Sequence, residues 1–326
     1  MTTSSTCTAV FMGTGTFAEQ QLRALLDIAT VRAIYTQPLR RAGRRRSQSA
    51  PNAVRECARE KNIPIYDPVE PLRTPEVFDT LRALAPDIIV VASYGKILPA
   101  CVLNLPRHGC VNIHASLLPR WRGATPVQAA IAHGDTQTGV TLMRMDTGLD
   151  TGDIIAQSSP RTISPTLRAP QLFTLLAHDG AELLRTALPE YCRGALTPRP
   201  QNDAEATQCR TLTRQDGAIF PCTHDAATIA ARIRAYDPWP GVFLVAPDGT
   251  MALKILDATV VSSTDTTHPC GTLHCTSTDI LLYTRTGALR LTALQFPGGR
   301  PLSATDALNG HRSRLTTLQY ATMKKD

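Results

Sequence analysis

No stretch of the 326 residues holds enough consecutive apolar side chains to cross a bilayer, and Met1 to Thr8 has neither a basic flank nor a long apolar run. The sequence therefore predicts no membrane span and no secretory signal, and with them a cytoplasmic location. Aromatic residues make up only 5% of the chain, which argues against stacking on many single-stranded bases. Nine cysteines are scattered with no C-x-x-C pair and an odd total, so reduced, mostly buried thiols are predicted rather than a disulfide framework or a structural zinc site. No Ser or Cys stands in a nucleophile motif such as G-x-S-x-G, which points away from a covalent acyl-enzyme. Asp146 to Asp153 alternates acids with glycines but lacks the order and the terminal Glu of a calcium loop, so no metal is predicted.

What the chain does have is positive charge. The net charge of +7 favours an anionic partner, and with so few aromatics that partner reads as structured RNA or a phosphorylated small molecule. The charge is densest between Gln37 and Pro51, where Arg40, Arg41, Arg44, Arg45 and Arg46 surround Gly43. Five guanidinium groups so close repel one another and cannot be buried together, so the segment reads as an exposed, mobile loop that orders on meeting RNA phosphates.

Thr8 to Met12 reads as a short apolar strand, followed by Gly13-Thr14-Gly15 and a helix whose Ala18, Leu22, Leu25, Leu26 and Ala29 share a face. Val31 to Tyr35 is the next strand, so the opening is a βαβ unit and a parallel sheet is predicted. The glycine turn matches the dinucleotide fingerprint G-x-G-x-x-A. The second strand, however, ends Thr36-Gln37-Pro38, with no acid for a ribose. A turn that packs helix on strand is the preferred reading, and an NADP site is kept in reserve because arginines follow. Asp87 to Ala92 is a fully buried strand. Beyond residue 210, five short strands with turns between them suggest a small barrel. The predicted fold is α/β: a Rossmann-like, mostly parallel sheet with helices on both faces (1–190), a linker (191–210), and a small OB-type β-barrel domain (211–326). Asn309-Gly310 is predicted to stop a last helix capped by Ser303.

The chemistry concentrates at one strand. Asn112 and His114 are two residues apart, so on an extended strand they point to one face. An imidazole exchanges protons near neutral pH, and a neighbouring amide donates to a developing oxyanion. A carboxylate from Asp146, Asp150 or Asp153 can orient the imidazole. The set suggests direct acyl-type transfer through a tetrahedral intermediate. Ligands in open α/β sheets bind beyond the carboxyl ends of the strands, which brings Tyr94 to Pro99 to the same edge.

Asn112 to Gln128 (Asn-Ile-His-Ala-Ser-Leu-Leu-Pro-Arg-Trp-Arg-Gly-Ala-Thr-Pro-Val-Gln) resembles the folate-dependent formyltransferases. Phe11 to Thr14, Thr36 to Pro38, Tyr94 to Pro99, Met145 to Asp153, Leu196 to Gln201, Asp237 to Pro240 and Leu308 to Gly310 extend the likeness in order along nearly the whole chain. The resemblance implies 10-formyltetrahydrofolate as formyl donor. As acceptor it implies the α-amino group of methionine on initiator tRNA. It implies Asn112, His114 and Asp150 as the catalytic set, Ser116, Leu117, Leu118 and Pro119 as the folate-contacting segment, and Ile97 and Leu98 as walls of the pterin pocket. It also implies the arginines of residues 40–46 as the insertion that reaches the tRNA, and a monomer that binds no membrane. This chain departs from the pattern at Leu39 and Arg41, where the family carries Asp and Pro, so its loop is the more basic. Rival readings are formyl transfer to another amine such as an amino sugar-nucleotide, hydrolysis of the formylfolate, an RNA-binding protein without activity, and an NADP oxidoreductase.

Overall fold

The structure, a computed structural model, describes residues 7–38, 52–261, 268–318 and 320, and the backbone of 41–42 and 48–49. It divides into two compact units. One comprises residues 1–126, 137–162 and 173–209, and the other comprises 127–136, 163–172 and 210–326.

The first unit is built on a seven-stranded sheet. Its strands are β1 (Thr8–Gly13), β2 (Thr30–Tyr35), β3 (Ile65–Tyr66), β4 (Ile88–Ala92), β5 (Cys110–His114), β6 (Thr141–Arg144) and β7 (Ile154–Gln157). They lie in the order β7-β6-β5-β4-β1-β2-β3. The pairings from β3 through β5 are parallel, whereas β6 runs antiparallel to both β5 and β7. Ala9 to Met12 and Ile88 to Val90 have no exposed surface, as expected of parallel strands covered on both faces. On one face Val10, Met12, Ile89 and Val91 pack with Leu81 and Val102. The flanking helices are α1 (Gly15–Leu26), α2 (Ala53–Glu60), α3 (Pro75–Ala83) and the long α4 (Ala169–Cys192). Asn52 caps α2 by accepting from Arg55 N.

Gly13 explains the glycine turn. A Cβ there would lie 2.7 Å from the Ala92 carbonyl oxygen and 2.8 Å from the Ala18 methyl. Thr14 and Thr36 hydroxyls meet at 3.2 Å, and Asn52 Nδ2 donates to Thr36 at 3.0 Å. Side-chain contacts therefore brace the end of β2 where a dinucleotide enzyme holds a ribose. The packing reading of this turn is the one the contacts favour.

The second unit has strands β8 (Ala218–Ile219), β9 (Val242–Val245), β10 (Met251–Val261), β11 (Leu273–Cys275), β12 (Ile280–Tyr283), β13 (Ala288–Gln295) and β14 (Pro301–Ser303), with helices α5 (Ala226–Ala235) and α6 (Ala304–Thr316). The order is β8-β9-β10-β13-β12-β11, with β14 also on β13. All of these pairings are antiparallel except β8 with β9. Leu244, Leu253, Ile255, Leu282, Leu289 and Leu294 fill its core beneath Ile229 and Ile233 of α5. The sheet curls as a half-barrel. Among the described residues no pairing of β8 with β11 closes it.

Two expectations about the cysteines need correction. Cys222 and Cys270 are joined in a disulfide, with Cα atoms 5.4 Å apart. Their separation of 48 residues hides the pair from any spacing rule. Of the seven free cysteines only Cys57 and Cys110 are buried, and the Cys7 and Cys192 sulfurs lie 3.7 Å apart. The helical stretch Ala304–Thr316 is two helices joined across a kink at His311 (φ −137°), so the helix capped by Ser303 ends at Asn309-Gly310 as the sequence predicts, and a second segment runs on to Thr316. Arg40, Arg44, Arg45 and Arg46 lie outside the described residues, while Arg41 and Ala42 pair antiparallel with Gln48 and Ser49.

Candidate active site

Val91 of β4 pairs with Asn112 of β5, so both strands deliver their carboxyl ends to one edge. From β4 the chain passes through Ser93 (φ +47°) into Tyr94 to Pro99. From β5 it passes through Ala115 to Trp121 (φ +61°). The turn after β6 brings Asp150 (φ +54°). Three of the non-glycine residues held in the left-handed region thus lie on the loops of this edge. Backbone of that kind persists only where its surroundings hold it, and it concentrates at functional sites.

Asp150 is where these loops meet. Its Oδ1 accepts from Asn112 Nδ2 at 3.4 Å, and its Oδ2 accepts from the Gly123 N–H at 2.9 Å. The same Oδ2 stands 3.7 Å from His114 Nδ1. On the far side of the ring, His114 Nε2 lies 2.9 Å from the Trp121 carbonyl oxygen. Nε2 is thus within hydrogen-bond distance of a main-chain acceptor, while Nδ1 faces the Asp150 carboxylate from further off. The Nδ1 separation is longer than a hydrogen bond, a gap of the kind that closes when substrate arrives. His114 and the Asp150 carboxylate are nearly buried, so little water screens one from the other. Cys110 at the head of the strand supplies no nucleophile, because burial pushes its thiol up to about 12.

The other two acids of the turn serve elsewhere. Asp146 accepts from Thr151 Oγ1 at 2.8 Å and from Gly148 N at 3.0 Å, which ties the turn together. Asp153 gives its carbonyl to Arg144 N at 2.8 Å. Of the three candidate carboxylates, only Asp150 meets Asn112 and His114 in the contacts described.

The segment Ser116 to Pro119 is partly occupied by the fold itself. Ser116 is buried and donates its hydroxyl to the Arg120 carbonyl at 2.6 Å. Leu118 is buried with Met143 and Ile154. Leu117 and Pro119 keep partial exposure. Leu98 is buried, but Ile97 is 88% exposed and Leu149, just before Asp150, is 64% exposed. Among the described residues no group of three His, Cys, Asp or Glu is placed to hold a metal ion, and no helix is long and apolar enough to cross a membrane.

Sequence reasoning did not single out Trp121 and Gly123, whose backbone groups engage His114 and Asp150. It also missed Gln201, which holds the backbone of the acidic turn, and Arg122, which donates to Gln201. Main-chain donors and acceptors leave no mark in residue type. The one available signal was Pro-Arg-Pro-Gln at 198–201, a polar stretch with no core to serve. Residues 199–209, expected as linker, pair with β7 through Arg199 and Ile154 and with the short strand Arg122–Gly123 through Gln208–Cys209.

Residues 7–188 match the formyl transferase family model, and residues 211–312 match that of the formyl transferase C-terminal domain. The chain is 41% identical over 308 residues to the methionyl-tRNA formyltransferase of Marinobacter nauticus, covering 94% of this chain and 97% of that one. It is 42% identical over 305 residues to that of Xylella fastidiosa, covering 93% and 97%. A sugar 3N-formyl transferase, WlaRD, solved with dTDP and 5-N-formyl-THF, superposes with a TM-score of 0.64 at 15% identity, covering 88% of this chain and 98% of that one. HypX from Aquifex aeolicus superposes at 0.60 and 17% identity, covering 99% and 52%. These two distant likenesses speak for the fold alone, whereas the sequence relatives span both chains almost end to end. On this evidence the chain belongs to the formyl transferase family, among the methionyl-tRNA formyltransferases.

Proposed function

We propose that this protein transfers a formyl group from 10-formyltetrahydrofolate to the α-amino group of methionine on initiator tRNA, giving formylmethionyl-tRNA for translation initiation in the cytoplasm. The observation that carries the reading is the meeting of Asn112, His114 and Asp150 at one sheet edge, in a chain about 41% identical to methionyl-tRNA formyltransferases over nearly its full length.

In such a transfer the amine attacks the formyl carbon, a C–N bond forms, and negative charge gathers on the formyl oxygen. Collapse releases the folate nitrogen, which gains a proton as the amine loses one. Asn112 has one amide N–H on Asp150 and a second for the oxyanion, and one such donor is worth about a hundredfold or more in rate. The imidazolium of His114 adds positive charge beside it. Asp150 fixes that ring and relays the proton, through water, toward the leaving nitrogen. Ile97, Leu117 and Pro119 supply surface for the folate, with Leu98, Leu118 and Ser116 shaping its wall from behind. Arg40, Arg41, Arg44, Arg45 and Arg46 clamp RNA phosphates, and the second unit acts as an OB-type tRNA-binding module. The enzyme works as a monomer.

The test is direct. Purified protein is incubated with 10-formyltetrahydrofolate and charged initiator or elongator Met-tRNA, and in parallel with an amino sugar-nucleotide. Formylmethionine on initiator tRNA is the expected product. Its absence, or product only on the sugar, would overturn the reading.

A further inference from the structure

One side chain ties the acidic turn to the strand beside it. Gln201 Nε2 donates to the Asp150 carbonyl at 2.9 Å and to the Gly152 carbonyl at 2.7 Å. Its Oε1 accepts from Arg122 Nε at 3.0 Å and from Arg122 Nη2 at 2.9 Å. Every donor and the acceptor of this amide are therefore engaged. Arg122 is only 6% exposed, and its Nη2 also donates to Asp203 Oδ1 at 2.7 Å. A guanidinium on the amide oxygen polarises the whole group, so the two N–H bonds to the turn are strengthened. The turn needs such an anchor. Asp150 sits at φ +54°, a conformation that a non-glycine residue keeps only when neighbours hold it. Arg122 also directly precedes Gly123, whose N–H holds the Asp150 carboxylate. Backbone and side chain of Asp150 are thus gripped from the same two places.

We infer that Gln201 and Arg122 are positioning residues: they fix the backbone at 150–152 so that the Asp150 carboxylate keeps its place between Asn112 and His114. Neither touches a reacting atom. Their effect on rate passes through Asp150, and the inference rests on the formyl-transfer reading above. Gln201 joins the two elements through backbone carbonyls and a buried cation, so its role depends on being an amide. Donors and acceptor must sit on one planar group, which glutamate and leucine cannot supply.

The decisive variant is Gln201→Glu, which still accepts from Arg122 but puts a carboxylate oxygen against the two carbonyls. We expect kcat for formylation to fall by about tenfold to a hundredfold, because a displacement of about 1 Å at a reacting group costs on that scale. KM for charged tRNA should change by less than about threefold, the pattern of an interaction felt only in the transition state. A second readout needs no substrate: the Gly123 amide should exchange faster with solvent in the variant. Arg122→Lys keeps the charge but loses the two-pronged contact, so it should show the same two effects more weakly. It carries the test if Gln201→Glu does not fold. Wild-type kcat and wild-type Gly123 exchange in the variants, or a rise in KM with kcat kept, would overturn the inference. His114→Ala and wild-type protein are run alongside. No product from wild type overturns the formyl-transfer reading and this inference with it. Product from wild type, loss in His114→Ala and full activity in Gln201→Glu overturn the positioning role alone.

Discussion

Asn112 donates its side-chain N–H to Oδ1 of Asp150 across 3.4 Å. The contact sets which way the amide faces, and in the proposed mechanism its second N–H meets the developing oxyanion. Asn112→Asp replaces that donor with a carboxylate against a carboxylate. We expect a loss of about a hundredfold to a thousandfold in single-turnover formyl transfer, measured at saturating donor, with the fold intact by circular dichroism. A variant as fast as wild type would remove Asn112 from the oxyanion.

Asp150 carries both a chemical and a backbone demand, and two substitutions separate them. Asn is tolerated in the left-handed region and Ala is not. Asp150→Asn and Asp150→Ala should both lose about a hundredfold in kcat. Only the alanine variant should also lose stability, by about 1 kcal/mol in urea denaturation. Equal stability of the two would show that the φ of +54° is not a constraint.

Gly123 combines φ +117° with a close approach, since a Cβ there would lie 2.0 Å from the Cys209 carbonyl oxygen. Gly123→Ala should push apart the short pairing of Arg122–Gly123 with Gln208–Cys209 and move the N–H that holds Asp150. A loss of about 1–3 kcal/mol is expected from the backbone alone, together with a fall in kcat. Denaturant midpoints and initial rates check both. A variant of normal stability would mean that this strand pair yields easily.

Asp87 anchors the start of β1. The Thr8 N–H donates to it at 2.8 Å, the Thr8 hydroxyl does so at 2.8 Å, and Arg107 lies at 3.0 Å. The Thr8 amide foremost holds its carboxyl below the ordinary 3.8. A carboxylate whose folded value is depressed stabilises the fold above its unfolded value and ceases to do so as pH falls through the folded one. Asp87→Asn should therefore cost about 1–2 kcal/mol at pH 7, and the gap to wild type should close as pH drops below 3.8. A gap constant from pH 7 to pH 3 would contradict the assignment.

The strands that lay open to reading are those whose cause is local. Ile88 to Ala92 is an unbroken apolar run, and Ile280 to Tyr283 and Val242 to Val245 are short apolar segments between turn residues. β10 runs on to Val261, longer than the short strands expected there, because Asp257 to Val261 keep pairing with β13 through two register shifts that no local pattern marks. Gly310 was legible as a helix end, but the second helical segment beyond the kink at His311 was not, because it follows from the burial of Leu315 in the second core. The Cys222–Cys270 bridge and the open edge of the second sheet depend on segments far apart in the chain.

At the site, side chains with a chemistry of their own were legible: Asn112, His114 and a carboxylate from the turn. Gln201 was not, because its partners are carbonyl groups about fifty residues away that any residue would supply. Residue type announces proton donors and acceptors. It is silent about which peptide groups they find.

Gly13 carries a lesson for reading glycine-rich turns elsewhere. Its side of the turn is filled by the Ala92 carbonyl and the Ala18 methyl, so the missing side chain is demanded by neighbours and not by a phosphate. A fingerprint scan would report a nucleotide here, and a designer wishing to graft one would first have to evict the protein's own backbone.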